Sequence, residues 1–217
     1  MSKGKLIVIE GVDGSGKGTV ASMLETYLRE RGERVRRISF PMYGTVGAKP
    51  LEAYLGGKLG GRPEDTNAYA ASVLFAVDRY LSYRTDWGRD LEDGVTVIAD
   101  RYTTSNAVHQ LTKLDGSEWD GFLDWLFETE YRKMGLPVPD ATVYIEMPTA
   151  LSRRLIAARG RESDIHETDA HHLEKAYEAG VYACKRMGWT LVPNHDGEEL
   201  RDLGATLAEV LEKTNLK

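Results

Sequence analysis

The sequence predicts an α/β fold of three layers, with a five-stranded parallel sheet between two layers of helices. Three features carry this expectation. Short apolar segments alternate with longer amphipathic ones along the chain. The apolar segments are continuous, as in strands buried on both faces of a parallel sheet. The first of them runs into a glycine-rich loop and then a helix, an arrangement that puts a ligand beyond the carboxyl ends of the strands.

The elements follow in order. Residues 6–9 (Leu-Ile-Val-Ile) read as the first buried strand, and Gly11, Gly14, Gly16 and Gly18 punctuate the loop after it. Val20, Met23, Leu24, Tyr27 and Leu28 recur at helical spacing, and Gly32 marks the end of that helix. Residues 34–40 form a second strand closed by Pro41, and residues 66–89 one long helix. Residues 95–99 are a third strand ending at Asp100, followed by helical segments over 105–114 and 118–134. Residues 141–145 are the fourth strand, with Glu146 at its end. Helices are expected over 150–159 and 168–187, around a charged segment at 160–167. Residues 189–192 give the fifth strand and 198–214 a closing helix.

Composition narrows the class. The 217 residues with 41% hydrophobic content suit one domain, 1–217, with a sizeable core. The formal charge of -6 argues against a general nucleic-acid surface, but not against an anionic small molecule in a locally basic cleft. The apolar run at 6–9 is too short for a signal peptide or a membrane span, so no membrane partner is expected. Cys184 is the single cysteine and cannot form an internal disulfide, which suits a reducing cytoplasm.

The loop carries the chemistry. Gly11-Val12-Asp13-Gly14-Ser15-Gly16-Lys17-Gly18-Thr19 follows a strand and opens a helix, the context that a P-loop requires. Its glycines let backbone N–H groups converge on phosphate oxygens, and the helix N-terminus adds partial positive charge. Lys17 would reach the β- and γ-phosphates. Gly18 stands where the pattern has Ser or Thr, so the usual hydroxyl ligand to Mg²⁺ is missing. Thr19 would touch an α-phosphate. The metal would rest on phosphate oxygens, water and Asp100. The glycine spacing rules out a dinucleotide fingerprint, and no Asn-Lys-x-Asp segment for guanine is present. The fold expected is thus P-loop NTP hydrolase-like.

With the loop, two further segments resemble the thymidylate kinase family: Leu74-Phe75-Ala76-Val77-Asp78-Arg79 and Asp100-Arg101-Tyr102-Thr103-Thr104-Ser105-Asn106-Ala107-Val108-His109-Gln110. Phe40-Pro41 after the second strand also fits. The resemblance implies a kinase that transfers the γ-phosphoryl group of ATP to dTMP, with Mg²⁺ as cofactor, ATP and dTMP as its small-molecule partners, and a homodimeric state. It implies that Phe75 stacks on the pyrimidine and that Arg79 donates to the thymine O4. Ser105 and Asn106 would read the base edge, and Arg101 would grip the acceptor phosphate. Asp100 would orient Arg101 or a metal-bound water, and Asp13 would lie near the sugar or the acceptor phosphate. Phe40 and Tyr43 would line the acceptor side.

The same resemblance places a lid over ATP at about 158–168, with Arg153, Arg159 and Arg161 as candidates for its catalytic arginine. The chain departs from the family pattern at Met42 and Tyr43, where an acceptor-phosphate arginine often stands, and at Ile165 in the lid. His109 occupies a place where Tyr or Phe is common beneath the sugar, which implies looser discrimination against a 2′-hydroxyl. Three other readings compete. They are another pyrimidine monophosphate kinase (UMP or dUMP), a catalytically silent nucleotide-binding regulator, and a nucleoside kinase using Glu10 or Asp13 as base.

Overall fold

The computed structural model describes residues 3–158 and 170–216. β1 (Leu6–Glu10) is buried at every position. Its apolar run serves both faces of the sheet, because successive side chains alternate. Ile7 and Ile9 pack with α1 (Lys17–Glu30) and α9 (Leu203–Lys213), while Leu6 and Val8 pack on the opposite face with Trp87 and Leu91. β2 (Val35–Ser39), β3 (Thr96–Asp100), β4 (Ala141–Glu146) and β5 (Thr190–Pro193) complete the sheet. The order is β2-β3-β1-β4-β5, with every pairing parallel. The expected five-stranded parallel sheet is therefore present. Its strand order puts the ends of β1 and β3 side by side, with Ile9 in register with Asp100.

The second face carries α3 (Ala68–Ser82), α4 (Gly88–Glu92), α5 (Thr103–Gln110), α6 (Trp119–Phe127) and α8 (Ala170–Met187). Here the structure corrects the sequence reading. The single helix expected over 66–89 breaks after Ser82 into a wider π-turn at Tyr83–Trp87, and α4 follows. The break seats Trp87 in the core, where its indole Nε1 donates to Ser82 Oγ at 3.1 Å. The start of α3 is set by Asn67, whose side chain accepts from the Ala70 N–H at 2.8 Å. A short α2 (Lys49–Leu55), not foreseen in the sequence, buries Leu51 and Tyr54. α5 opens two residues earlier than expected, at Thr103.

α7 (Thr149–Ala158) follows β4. The closing helix was expected to begin at 198. Instead a small hairpin, β6 (His195–Asp196) with β7 (Glu199–Leu200), precedes α9. Asp202 caps α9 by accepting from the Ala205 N–H at 3.0 Å. Cys184 is buried, and burial pushes its thiol up to about 11, so it is a core residue rather than a reactive one. Among the described residues no helix is long and apolar enough to cross a membrane.

Candidate active site

The loop from Gly11 to Gly16 joins β1 to α1, and glycine is required where the backbone turns. Gly14 (φ 77°) and Gly16 (φ 86°) adopt left-handed conformations that side chains disfavour. A Cβ at Gly14 would also lie 2.5 Å from the Ser152 carbonyl oxygen, so α7 packs directly on the loop. Lys17 heads α1 with its ammonium 3.3 Å from the Val12 carbonyl and 3.5 Å from Asp13 Oδ1. Burial, and then the Arg101 charge, hold Lys17 below its ordinary pKa against the opposing pull of Asp13, Asp100 and Glu10. Gly11, Asp13, Gly14, Ser15, Gly16, Lys17, Gly18 and Thr19 thus form one continuous cradle, with Thr19 on its exposed side.

β3 delivers the opposite wall. Arg101 has a left-handed backbone (φ 70°), a conformation that costs a non-glycine residue about 1–3 kcal/mol and that clusters at functional sites. Its N–H bonds the Ile9 carbonyl at 3.1 Å, which fixes the turn against β1. The guanidinium then donates to Asp13 Oδ1 and lies 3.0 Å from His109 Nε2 and 3.7 Å from Glu10 Oε1. A guanidinium can only donate, so the His109 nitrogen facing it accepts. Asp13 is shared between Lys17 and Arg101.

Glu10 is the buried hub beneath this wall. Its Oε1 accepts from the Gly11 N–H at 2.9 Å, and its Oε2 from Thr104 Oγ1 and Ser105 Oγ at 2.6 Å each. Both oxygens of Glu10 are engaged, and Asp13, the other carboxylate weighed as base for a nucleoside kinase, is held between Lys17 and Arg101. Ser105 gives its one proton to Glu10 and accepts from Arg101 Nη1 at 3.4 Å. Its expected reading of the base edge narrows accordingly to accepting a hydrogen bond.

Asp100 ends β3 beside Gly18. A Cβ on Gly18 would stand 2.9 Å from Asp100 Oδ2, so the carboxylate occupies the side of the loop that the missing hydroxyl would have served. Asp100 Oδ1 is buried without a hydrogen-bond partner. A buried carboxylate oxygen without a donor is the chemistry that a hydrated Mg²⁺ satisfies. Among the described residues no three His, Cys, Asp or Glu side chains form a metal cage. A metal here would therefore take most of its oxygens from phosphates and water, with Asp100 at its edge.

A second network lies deeper. Arg79 is 1% exposed and binds Glu130 with both arms of its fork, Nε to Oε2 at 2.7 Å and Nη2 to Oε1 at 2.6 Å. Burial pulls the Arg79 pKa down, but Glu130 reverses this and the net shift is upward. Glu130 also accepts from Thr103 Oγ1 at 2.8 Å and from Asn106 Nδ2 at 3.4 Å. Most of the guanidinium, expected to face the base, is thus committed to Glu130. Asn106 Nδ2 points to Glu130 and to the Ser72 carbonyl at 3.3 Å, which leaves Oδ1 as its other polar atom. Phe75 is half-buried, with its ring edge-on to Tyr54 at 6.1 Å.

One expected acceptor residue falls elsewhere. The Phe40 ring enters the core against Trp87 and Tyr102, so it supports the site from behind. Tyr43 is 62% exposed on the loop after the cis Phe40–Pro41 peptide. That loop is tied to α3 by the Met42 N–H on Asp78 Oδ2 at 2.9 Å. Arg153 is exposed on α7. Arg159, Arg161 and the expected lid segment after position 158 lie outside the described residues.

Glu130 is a site-building residue that the sequence reading did not mark, and Glu10, weighed there only as a base, serves as the hub of the wall. Glu10 carried a faint signal, a carboxylate closing an otherwise apolar strand. Glu130 carried none, because its partner Arg79 is 51 residues away.

The chain is similar to known proteins over most of its length. The family model for thymidylate kinase matches residues 9–195. The thymidylate kinase of Mycobacterium tuberculosis (strain ATCC 25618 / H37Rv) is 34% identical over 213 residues, covering 94% of this chain and 97% of that protein. The thymidylate kinase of Homo sapiens is 30% identical over 148 residues, 68% of this chain and 63% of that one. A solved thymidylate kinase from Candida albicans, described as having broad substrate specificity, superposes with a TM-score of 0.73 over 100% of this chain and 93% of its own. At 22% identity that likeness speaks for the fold.

Proposed function

This chain belongs to the thymidylate kinase family, and on that premise we propose how its site moves the γ-phosphoryl group of ATP to dTMP, giving dTDP and ADP. One observation carries the reading. The Asp13 carboxylate is shared by Lys17 of the phosphate loop and Arg101 of the acceptor segment, so the two halves of the site meet at one group.

The nucleophile is an oxygen of the acceptor phosphate, whose second pKa of about 6 leaves it ionised near neutrality. No general base is needed, consistent with the full engagement of Glu10. The main barrier is repulsion between two polyanions. The loop N–H groups and Lys17 hold the triphosphate, and the incoming negative charge offsets the desolvation that depresses Lys17. Arg101 turns from Asp13 toward the acceptor phosphate. Arg153, Arg159 and Arg161 are the candidates to add charge from a lid at about 158–168, within a single domain. Asp100, through water, would hold the Mg²⁺ carried in with ATP, which would supply further neutralisation of the phosphate charge.

On the acceptor side, Phe75 stacks on the pyrimidine and Asn106 Oδ1 accepts from its N3–H. Arg79 offers the base the N–H groups that Glu130 and Tyr102 leave over. His109 lies beneath the sugar next to Arg101, and Tyr43 reaches the acceptor phosphate from its loop. The protein acts in the cytoplasm as a homodimer, as its family resemblance implies.

The test is steady-state ADP release with ATP and Mg²⁺ against dTMP, dUMP, UMP and dCMP. dTMP is expected to give the highest kcat/KM, and Lys17→Ala to abolish turnover with every acceptor. A preference for UMP or dUMP would transfer the assignment to another pyrimidine monophosphate kinase. Tight nucleotide binding with no ADP release at saturating dTMP would mark a silent regulator.

A further inference from the structure

We propose that Asn194 is a positioning residue for the phosphate loop, holding the Ser15–Gly16 peptide so that its N–H faces the ATP phosphates. The proposal rests on the reading of this loop as the ATP site. Asn194 follows the last residue of β5, and its backbone is fixed on both sides. Its N–H donates to the Glu146 carbonyl at 2.9 Å, and its carbonyl accepts from the Arg201 N–H at 3.3 Å.

The side chain is 3% exposed and bridges two other elements. Nδ2 donates to the Ser15 carbonyl at 2.8 Å, and Oδ1 accepts from Thr206 Oγ1 of α9 at 2.8 Å. A carboxamide bonded at both ends has one orientation. A Cβ on Gly16 would lie 2.7 Å from Asn194 Nδ2, so the amide fills the space that a side chain would take. Gly16 is thus needed for its backbone angle and also for this close approach.

The consequence follows from peptide geometry. A trans peptide is planar, with its C=O and N–H on opposite sides. Holding the Ser15 carbonyl outward on Asn194 therefore turns the Gly16 N–H inward, toward the hollow of the loop. The Gly16 carbonyl already accepts the first α1 bonds, from Thr19 and Val20 at 3.0 Å each, so the Ser15 carbonyl lies just outside the helical ladder. Without Asn194 that buried carbonyl loses a donor, and the peptide gains freedom to rotate.

The full chain is compared with Asn194→Ala, Asn194→Asp and Thr206→Val. Asn194→Asp keeps the shape and the acceptor for Thr206, loses the donor to Ser15 and adds a buried negative charge beside the loop, so Asn194→Ala is the variant that reads positioning without that charge. Thr206→Val keeps that donor and releases its far end. Calorimetry gives the affinity for ATP, inorganic tripolyphosphate and dTMP separately, and kinetics give KM for each substrate.

Asn194→Ala is expected to bind ATP and tripolyphosphate about tenfold more weakly with dTMP affinity unchanged, and Asn194→Asp to lose more on the same two ligands, because its charge also repels them. Thr206→Val is expected to lose about threefold on the same two ligands, by release of one hydrogen bond. Loss on ATP without loss on tripolyphosphate would make Asn194 a nucleoside contact and overturn the proposal. Equal loss on ATP and dTMP, or no loss on either, would overturn it too. If the Asn194 variants do not fold, an unchanged Thr206→Val decides against it. A wild-type chain that binds no ATP would refute the reading of the site itself before any variant is compared.

Discussion

Removal of the Glu130 carboxylate should destabilise the protein more than the loss of any exposed ion pair. Arg79 and Glu130 are each 1% exposed, and the carboxylate accepts both arms of the guanidinium fork at 2.6 and 2.7 Å. Glu130→Ala leaves a buried cation alone and strips acceptors from Thr103 and Asn106. Breaking one partner of such a pair costs about 3–5 kcal/mol, whereas a surface pair such as Arg186 with Asp120 is worth about 0–1 kcal/mol. For a chain of 217 residues that corresponds to a fall in Tm of about 6–20 °C. Urea unfolding without nucleotide reads the cost as a lower midpoint at unchanged slope. The double variant Arg79→Met with Glu130→Leu should recover most of the loss, because the penalty lies in the uncompensated charge. Because Thr103 and Asn106 belong to α5, the folded fraction of Glu130→Ala should bind dTMP more weakly and ATP normally. A Glu130→Ala protein within about 0.5 kcal/mol of the parent would refute the argument, since that is the range of ordinary surface substitutions.

Other consequences concern the metal edge and one half-buried lysine. Gly18→Ala places a Cβ 2.9 Å from Asp100 Oδ2 and must displace the carboxylate. kcat should fall by about tenfold with KM for dTMP unchanged, on the scale of one mispositioned catalytic group. Asp100→Asn should raise the Mg²⁺ concentration for half-maximal rate by about tenfold, as loss of a metal-orienting partner does, and an unshifted Mg²⁺ titration would remove Asp100 from the metal's surroundings. Lys113 donates to Tyr54 Oη at 3.0 Å and to the Thr66 carbonyl at 2.9 Å, and burial pushes its pKa down from 10.5 to about 8. The folded protein therefore holds fewer protons there than the unfolded chain between about pH 8 and 10.5, so this contribution to stability rises with pH across that window. Allowing for partial exposure, the rise is about 1–2 kcal/mol and should vanish from the pH–stability curve of Lys113→Met.

The layers of the fold and the phosphate loop can be read from the residues alone, and the two acceptor segments are marked by their resemblance to a family. Those features are local: a continuous apolar run makes a buried strand, and glycines at fixed spacing make an anion cradle, whatever the rest of the chain does. The same reading puts the phosphate loop with Lys17, and the segment that opens at Asp100 and Arg101, beyond the strand ends, because parallel sheets gather their sites there. Folding alone sets which charges neutralise one another. Arg79 meets Glu130 across 51 residues, and Asn194 meets Ser15 across 179. It also decided that Phe40 enters the core and that the helix expected over 66–89 breaks to seat Trp87. Hydrogen bonds and packing depend on distances between elements far apart in the chain, and the periodicity of one segment carries no information about the side chain that will face it.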